Sequence, residues 1–333
     1  MIRQLLAAFI LIISSNMNNA LSADTNFTSY KKAWFTIEFE AQQMGLDIRV
    51  NDIPIFNIDN TGFMTLEVPI NQYIINGDNH IQVTAHPLFD DDDEQQMNNF
   101  VADTIVEVGL YIREDEEPAE KRKLIDKILI RPEQAYLDEP HESVARFTGG
   151  MRSENHSEPN VTKDAHVLDY PGYGNFKKQV VTSWVIKNLA TNFPRWAWQD
   201  GKEIVDDEST YNSLLAAYKV LYDAFENKDL DKIKAILKNH SAERAEAFHL
   251  ENADAGFDNL SLERLIDHPT IKLHSELFVE YTKLDIFGNN RLARIMSGAH
   301  TQPIAFIDEE TGQPYLPQFI WYKNSNNHWV QIR

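Results

Sequence analysis

The residues that could do chemistry in this 333-residue chain are few, and the arrangements that would identify a reaction are missing. There is no cysteine, hence no thiol nucleophile. A Gly-x-Ser-x-Gly elbow, a His-Glu-x-x-His pair and a phosphate loop are absent from the sequence. Asp90, Asp91, Asp92 and Asp93, followed by Glu94, cluster carboxylates of the kind that suit a hard cation such as Ca²⁺. An EF-hand needs spaced ligands and a turn glycine, which this run lacks, so a solvated acidic loop is expected. Glu246 and His249 stand at i and i+3, on one face of a helix, but a di-metal carboxylate centre needs a second such pair and two further acids. No metal, cofactor or catalytic residue is therefore expected. Trp196, Trp198, Tyr170 and Tyr173 lie beside turns, from which aromatic rings either stack on sugars, anchor protein interfaces or fill a core.

The ends and the charge bound the setting. Arg3, the apolar run Leu5 to Ile13, a polar stretch and Ala20-Leu21-Ser22-Ala23 follow the order of a secretory signal, with cleavage expected after Ala23. The apolar run is about half the roughly 20 residues that span a bilayer. With no cysteine at the cut to carry a lipid and none for disulfides, a soluble periplasmic or secreted protein held by hydrophobic burial is expected. The formal charge is −20. Residues 24–140 hold 24 acidic against 9 basic residues, and residues 141–333 hold 27 against 21. Such a field repels nucleic acid and anionic membranes and speeds association with basic partners, besides keeping an exported chain soluble.

Two periodicities divide the chain. From Ala33 to about Pro132 the pattern is β. Leu46, Ile48 and Val50 alternate, meet Asn51-Asp52 and return through Ile53, Ile55 and Ile58, which predicts a hairpin. Strands are also expected at Phe63 to Val68, Ile81 to Val83, Thr104 to Ile112 and Leu124 to Ile130. Periodicity is lost from Asp138 to Phe176, and Val180 to Ile186 is ambiguous between strand and helix. Tyr211, Leu214, Leu215, Tyr218, Tyr222 and Phe225 then recur at helical spacing behind the acidic start Asp206-Asp207-Glu208. Asp229 can cap a second helix through Leu237. Further helices are expected near 242–250 and 261–266, and antiparallel strands from Thr282 to the end.

Residues Gly77-Asp78-Asn79-His80-Ile81-Gln82-Val83 resemble the turn-and-strand of immunoglobulin-like and jelly-roll β-sandwich modules of exported bacterial proteins. Those modules bind glycans or proteins. Ala224-Phe225-Glu226-Asn227-Lys228-Asp229-Leu230, with the ending Trp329-Val330-Gln331-Ile332, resembles the nuclear-transport-factor-like (SnoaL-like) α+β cone fold. That second resemblance implies a pocket lined by His274, Tyr281, Asp285 and His300.

The expected fold is thus two-domain. A signal peptide covers 1–23, an all-β sandwich 24–137 and a linker or irregular connection 138–176. An α+β domain, helices followed by a curved antiparallel sheet, covers 177–333. The expected function is that of a non-enzymatic binding protein outside the cytoplasm. Its partner is expected to be a protein, with a glycan as the other ligand class, and no membrane span or nucleic acid is involved. One concrete form is an immunity-type protein neutralising a basic toxin of bacterial competition. The alternatives are a glycan-binding accessory protein, or a hydrolase or isomerase using the C-terminal pocket.

Overall fold

A computed structural model describes residues 26–90, 95–96, 104–130, 161–168, 179–297 and 301–333. The expected signal peptide, Asp91 to Asp93, Tyr170, Tyr173, His300 and most of the segment 138–176 lie outside the described residues.

The β-rich part is organised by one long hairpin. β1 (Ala33–Val50) and β2 (Ile53–Pro69) pair antiparallel from Thr36↔Pro69 to Val50↔Ile53. Asn51 and Asp52 both take positive φ, 53° and 65°, as a tight turn matching the strand twist requires. Phe63 to Val68, expected as a separate strand, continues β2. Along β1 the buried side chains are first odd-numbered, Phe35, Ile37, Phe39 and Ala41, and then even-numbered, Met44, Leu46, Ile48 and Val50. The change of parity falls at Gln43, whose φ is 58°, beside a register shift between Met44 and Leu46. An extra residue there bends the strand and keeps the same face inward on both sides of the bend.

Different strands join the two arms of β1. After β3 (Gly77–His86) comes a short pair, β4 (Phe89–Asp90) and β5 (Gln95–Gln96), then β6 (Ile105–Glu114) and β7 (Lys123–Ile130). β6 pairs with Ala33 to Gln42 of β1, and β3 pairs with Gly45 to Val50. β8 (Val161–Leu168) and β9 (Gln179–Leu189) extend the sheet beyond β3, giving the order β7-β6-β1-β3-β9-β8 with β2 on β1. This resolves one ambiguity and corrects one expectation. The ambiguous stretch at Val180 is a strand of the first sheet, and 161–168, expected to be irregular, pairs with β9 along its whole length. β8 ends the sheet, where backbone pairing alone suffices and no apolar alternation is demanded.

The C-terminal half holds five helices among the described residues. They are α1 (Glu208–Glu226), α2 (Leu230–Ile236), α3 (Lys238–Ala247), α4 (Ala253–Asp258) and α5 (Leu262–Asp267). Asp207 caps α1 by accepting from the Thr210 amide at 2.6 Å, and Asp229 caps α2 through Lys232 at 3.0 Å. α3 and α4 cross so closely at Gly256 that a Cβ there would stand 2.0 Å from the Ser241 carbonyl oxygen. The strands follow as β10 (Ile271–Leu273), β11 (Thr282–Phe287), β12 (Leu292–Ser297), β13 (Phe306–Asp308), β14 (Pro314–Tyr315), β15 (Trp321–Lys323) and β16 (Trp329–Gln331). They form two antiparallel sheets, β10-β13-β14 and β11-β12-β15-β16.

One apolar cluster lies between α1, α2 and these sheets, around Leu214, Tyr218, Phe225, Ile295 and Trp321. The other fills the folded-over first sheet, and it also takes in Ala247, Phe287, Leu292, Ile320, Tyr322 and Ile332. The C-terminal half therefore closes the core of the β-rich half.

Among the hydrogen bonds that cross that junction, those of one fully buried side chain join three backbone groups. Asn71, in a single 3₁₀ turn, is fully buried. Its Oδ1 accepts from the Phe35 amide at 2.6 Å. Its Nδ2 donates to the carbonyls of Ala33 at 2.9 Å and Ala247 at 2.5 Å, linking β1 to the end of α3. Asn71→Ala strands the Phe35 amide and the Ala247 carbonyl, each of which costs on the order of 1 kcal/mol or more, while the Ala33 carbonyl keeps His249. Urea denaturation is expected to show a loss of about 2 kcal/mol, against almost none for exposed Asn326→Ala. Equal effects of the two would contradict the role given to Asn71.

Candidate functional site

A cleft of about 620 Å³ opens where the returning strand β2 meets α3, α5 and the C-terminal strands. Pro54 to Ile58 form one wall, and Gln72 and Tyr73 lie at the 3₁₀ turn. His240 and Arg244 come from α3, Leu262 from α5, and Arg294 and Met296 from β12. Leu260, Pro317, Gln318, Phe319, Ile320 and Arg333 complete the lining. Among the described residues no Asp or Glu lines it, in a chain of net charge −20.

The guanidinium groups are held in place. Arg294 donates from Nε to Asp285 at 2.8 Å and from Nη1 to Gln318 Oε1 at 3.1 Å. Arg333, almost fully buried, pairs with Glu243 at 2.5 Å and donates to the Gln72 carbonyl at 2.5 Å. Arg244 donates to Asn259 Oδ1 at 2.6 Å and lies 4.9 Å from the centre of the Phe248 ring. Burial, with the charge of Arg333 as the next unfavourable influence, lowers the Arg244 guanidinium from its ordinary range. His240 is buried 3.2 Å from Gln331 Oε1. Burial first, then the positive charges of Arg333 and Arg244, push its imidazole down to about 3. At neutral pH the cleft thus presents fixed cations and a neutral imidazole.

The sequence-derived candidates fall elsewhere. Trp196 and Trp198 are 1% and 3% exposed, so they are core residues and offer no surface to a partner. The Trp196 indole N–H donates to the Ile74 carbonyl at 2.7 Å. His274 stacks on Phe278 with ring centres 4.2 Å apart, and its Nδ1 lies 2.9 Å from the Glu276 carbonyl. Tyr281 is 92% exposed, at φ 56°. Asp285 is bound to Arg294. None of these three lines the cleft. His249 reaches from the end of α3 to the Ala33 carbonyl at 2.9 Å, while Glu246 is exposed. Among the described residues no group of three or more His, Cys, Asp or Glu could hold a metal ion. Asp90 lies in β4.

Sequence reasoning missed the arginines because 89 positions separate Arg244 from Arg333. One signal was legible: Arg294 interrupts the apolar run Leu292-Ala293-Arg294-Ile295-Met296, where a charge facing a core needs a partner.

Away from the cleft, many basic side chains are tied up in ion pairs. Lys32 pairs with Glu116, Arg122 with Glu38, Lys127 with Glu107, Arg195 with Asp200, and Lys234 with Glu263. No described helix is long and apolar enough to cross a membrane. Compared with protein-family models, curated proteins and solved structures, the chain matches none.

A neutral buried histidine makes stability depend on pH. The folded value is depressed, so between about 6.5 and 3 the unfolded chain takes up a proton that the folded chain refuses. Stability from His240 is complete above 6.5 and is lost as pH falls through that window. His240→Gln is expected to lose less stability than the wild type between pH 7 and pH 4.5 in urea denaturation. Parallel losses in the two proteins would refute the buried neutral state.

Proposed function

We propose that the chain is a non-enzymatic binding protein outside the cytoplasm, acting on a basic protein partner. An immunity-type protein that neutralises a basic toxin of bacterial competition is the concrete form of this reading. The observation that carries it is the placement of charge. Lysines and arginines pair with surface carboxylates one for one, so these pairs leave the acidic surplus of the −20 chain uncompensated. A field of that sign draws in basic partners and accelerates encounter. The cleft chemistry is also that of binding: permanent cations and an imidazole held neutral at pH 7 grip charge and do not shuttle protons.

The bent hairpin with strands on both of its arms supports the reading of the N-terminal half as a sandwich-type binding module, with β8 and β9 added to its sheet from beyond residue 137. Helices followed by antiparallel strands support the cone-like reading of the C-terminal half. The apolar run at Leu5 to Ile13 supports export. N-terminal sequencing of the exported protein is expected to begin at Asp24, and recovery of Met1 would remove the signal peptide from the proposal.

Steering acts on the association rate and is screened by salt over about 8 Å at physiological ionic strength. The partner captured from the native host by the mature chain is expected to associate several-fold more slowly as salt rises from about 20 to 200 mM. Changing Asp90 to Asp93 together to Asn is expected to slow association further and leave dissociation nearly unchanged. An association rate insensitive to both would end the case for steering by charge.

A further inference from the structure

The cleft has the opposite sign to the molecule around it, and its charges do not balance. Of the three guanidinium groups on its lining, two are compensated: Arg294 by Asp285 and Arg333 by Glu243. Arg244 is not. Its hydrogen-bond partner is the neutral amide of Asn259, its guanidinium rests on the Phe248 ring, and among the described residues no carboxylate pairs with it. Arg333 adds a like charge beside it. A half-buried cation without a counter-ion is costly, and a bound anion would remove that cost.

Two further polar atoms on lining residues are buried without a partner, Nε of Arg333 and Oε1 of Gln72. The first is a donor close to the uncompensated charge. The rest of the wall is largely apolar, with Ile55, Ile58, Leu260, Leu262 and Met296. The volume of about 620 Å³ falls within the roughly 300–1,000 Å³ of pockets that hold small organic ligands.

We propose that this cleft binds a small organic carboxylate, its head on Arg244 and its apolar body along Ile58, Leu260, Leu262 and Met296. One uncompensated positive charge calls for one negative charge on the ligand. A planar carboxylate matches the planar guanidinium fork, which donates two parallel N–H···O bonds to its oxygens. The apolar wall calls for a carbon body and gives inorganic anions little to hold. This assignment rests on the cleft as a binding site and not on the protein partner.

The test uses the mature full chain and a panel of alkyl and aryl carboxylates of four to ten carbons, each beside its primary amide, which keeps the shape and removes the charge. Calorimetric titration is expected to show at least one carboxylate binding tenfold or more tighter than its amide. Inorganic phosphate alone is expected not to displace it. Arg244→Gln should cost that carboxylate tenfold or more and leave amide binding unchanged, and Arg244→Lys should recover part of the loss. Ile58→Trp, on the strand wall, should weaken carboxylate and amide alike, which keeps the proposal testable if the arginine variants fold poorly. If no carboxylate binds more tightly than its amide, or Arg244→Gln binds as the wild type does, the assignment is overturned. Equal binding of amide and carboxylate would remove the charge preference and keep the cleft as a binding site. The salt dependence of the protein partner would be untouched by either result.

Discussion

The structure turns on the burial of a stretch of irregular backbone. Residues 70–76 run between β2 and β3 through the junction of the two halves, and a buried connection must find partners for every peptide group it carries. Side chains from distant parts of the chain supply them. Asn51 donates to the Tyr73 carbonyl at 2.8 Å, Trp196 to Ile74 and Arg333 to Gln72. Asn79 serves the segment itself, accepting from the Ile75 amide and donating to the Ile75 carbonyl. Asn76 holds the chain at 191–193 through the Thr191 amide and the Phe193 carbonyl. The polar side chains here are therefore structural. Each satisfies a backbone group that no regular strand or helix would otherwise pair.

The same junction creates the cleft. The bend at Gln43 lets both arms of the hairpin turn one face inward, and α3 with the strands ending at Arg333 closes that core from outside. β2 remains as a wall against which helix and strand cannot pack completely. Charges brought there from three elements have little water to solvate them, so their mutual compensation matters more than it would on the surface. Arg294 and Arg333 have carboxylates, His240 stays neutral, and Arg244 is left with an amide and a ring. The acidic exterior and the cationic interior cleft answer to different physics: long-range steering outside, short-range compensation within.

How much of this was legible in the sequence depended on the range of the signal. The Asn51-Asp52 turn, the α1 cap at Asp207 and the α2 cap at Asp229 were readable because each is decided within a few residues, by φ preference or by a side-chain oxygen reaching an amide. The apolar spacing of Leu214, Tyr218 and Phe225 announced the buried face of α1. Trp196 and Trp198 were ambiguous between surface anchor and core, since an aromatic beside a turn suits either. Only the packing partners, Ile74 among them, put them inside.

The sequence by itself determined the acidity, the absence of thiol chemistry, the change from strand to helix periodicity and most local boundaries, because composition and short-range stereochemistry need no tertiary context. The tertiary structure alone decided that Val161–Leu168 and Gln179–Leu189 extend the first sheet, since strand pairing is chosen by backbone registers far apart in the chain. It alone decided that His274, Tyr281 and Asp285 stay off the lining of the cleft. It also brought Arg244, Arg294 and Arg333 to one cleft, where spacing along the chain carries no record of proximity. An arginine reads the same in sequence whether its charge meets water, a carboxylate or a buried ring, and only the fold makes that choice.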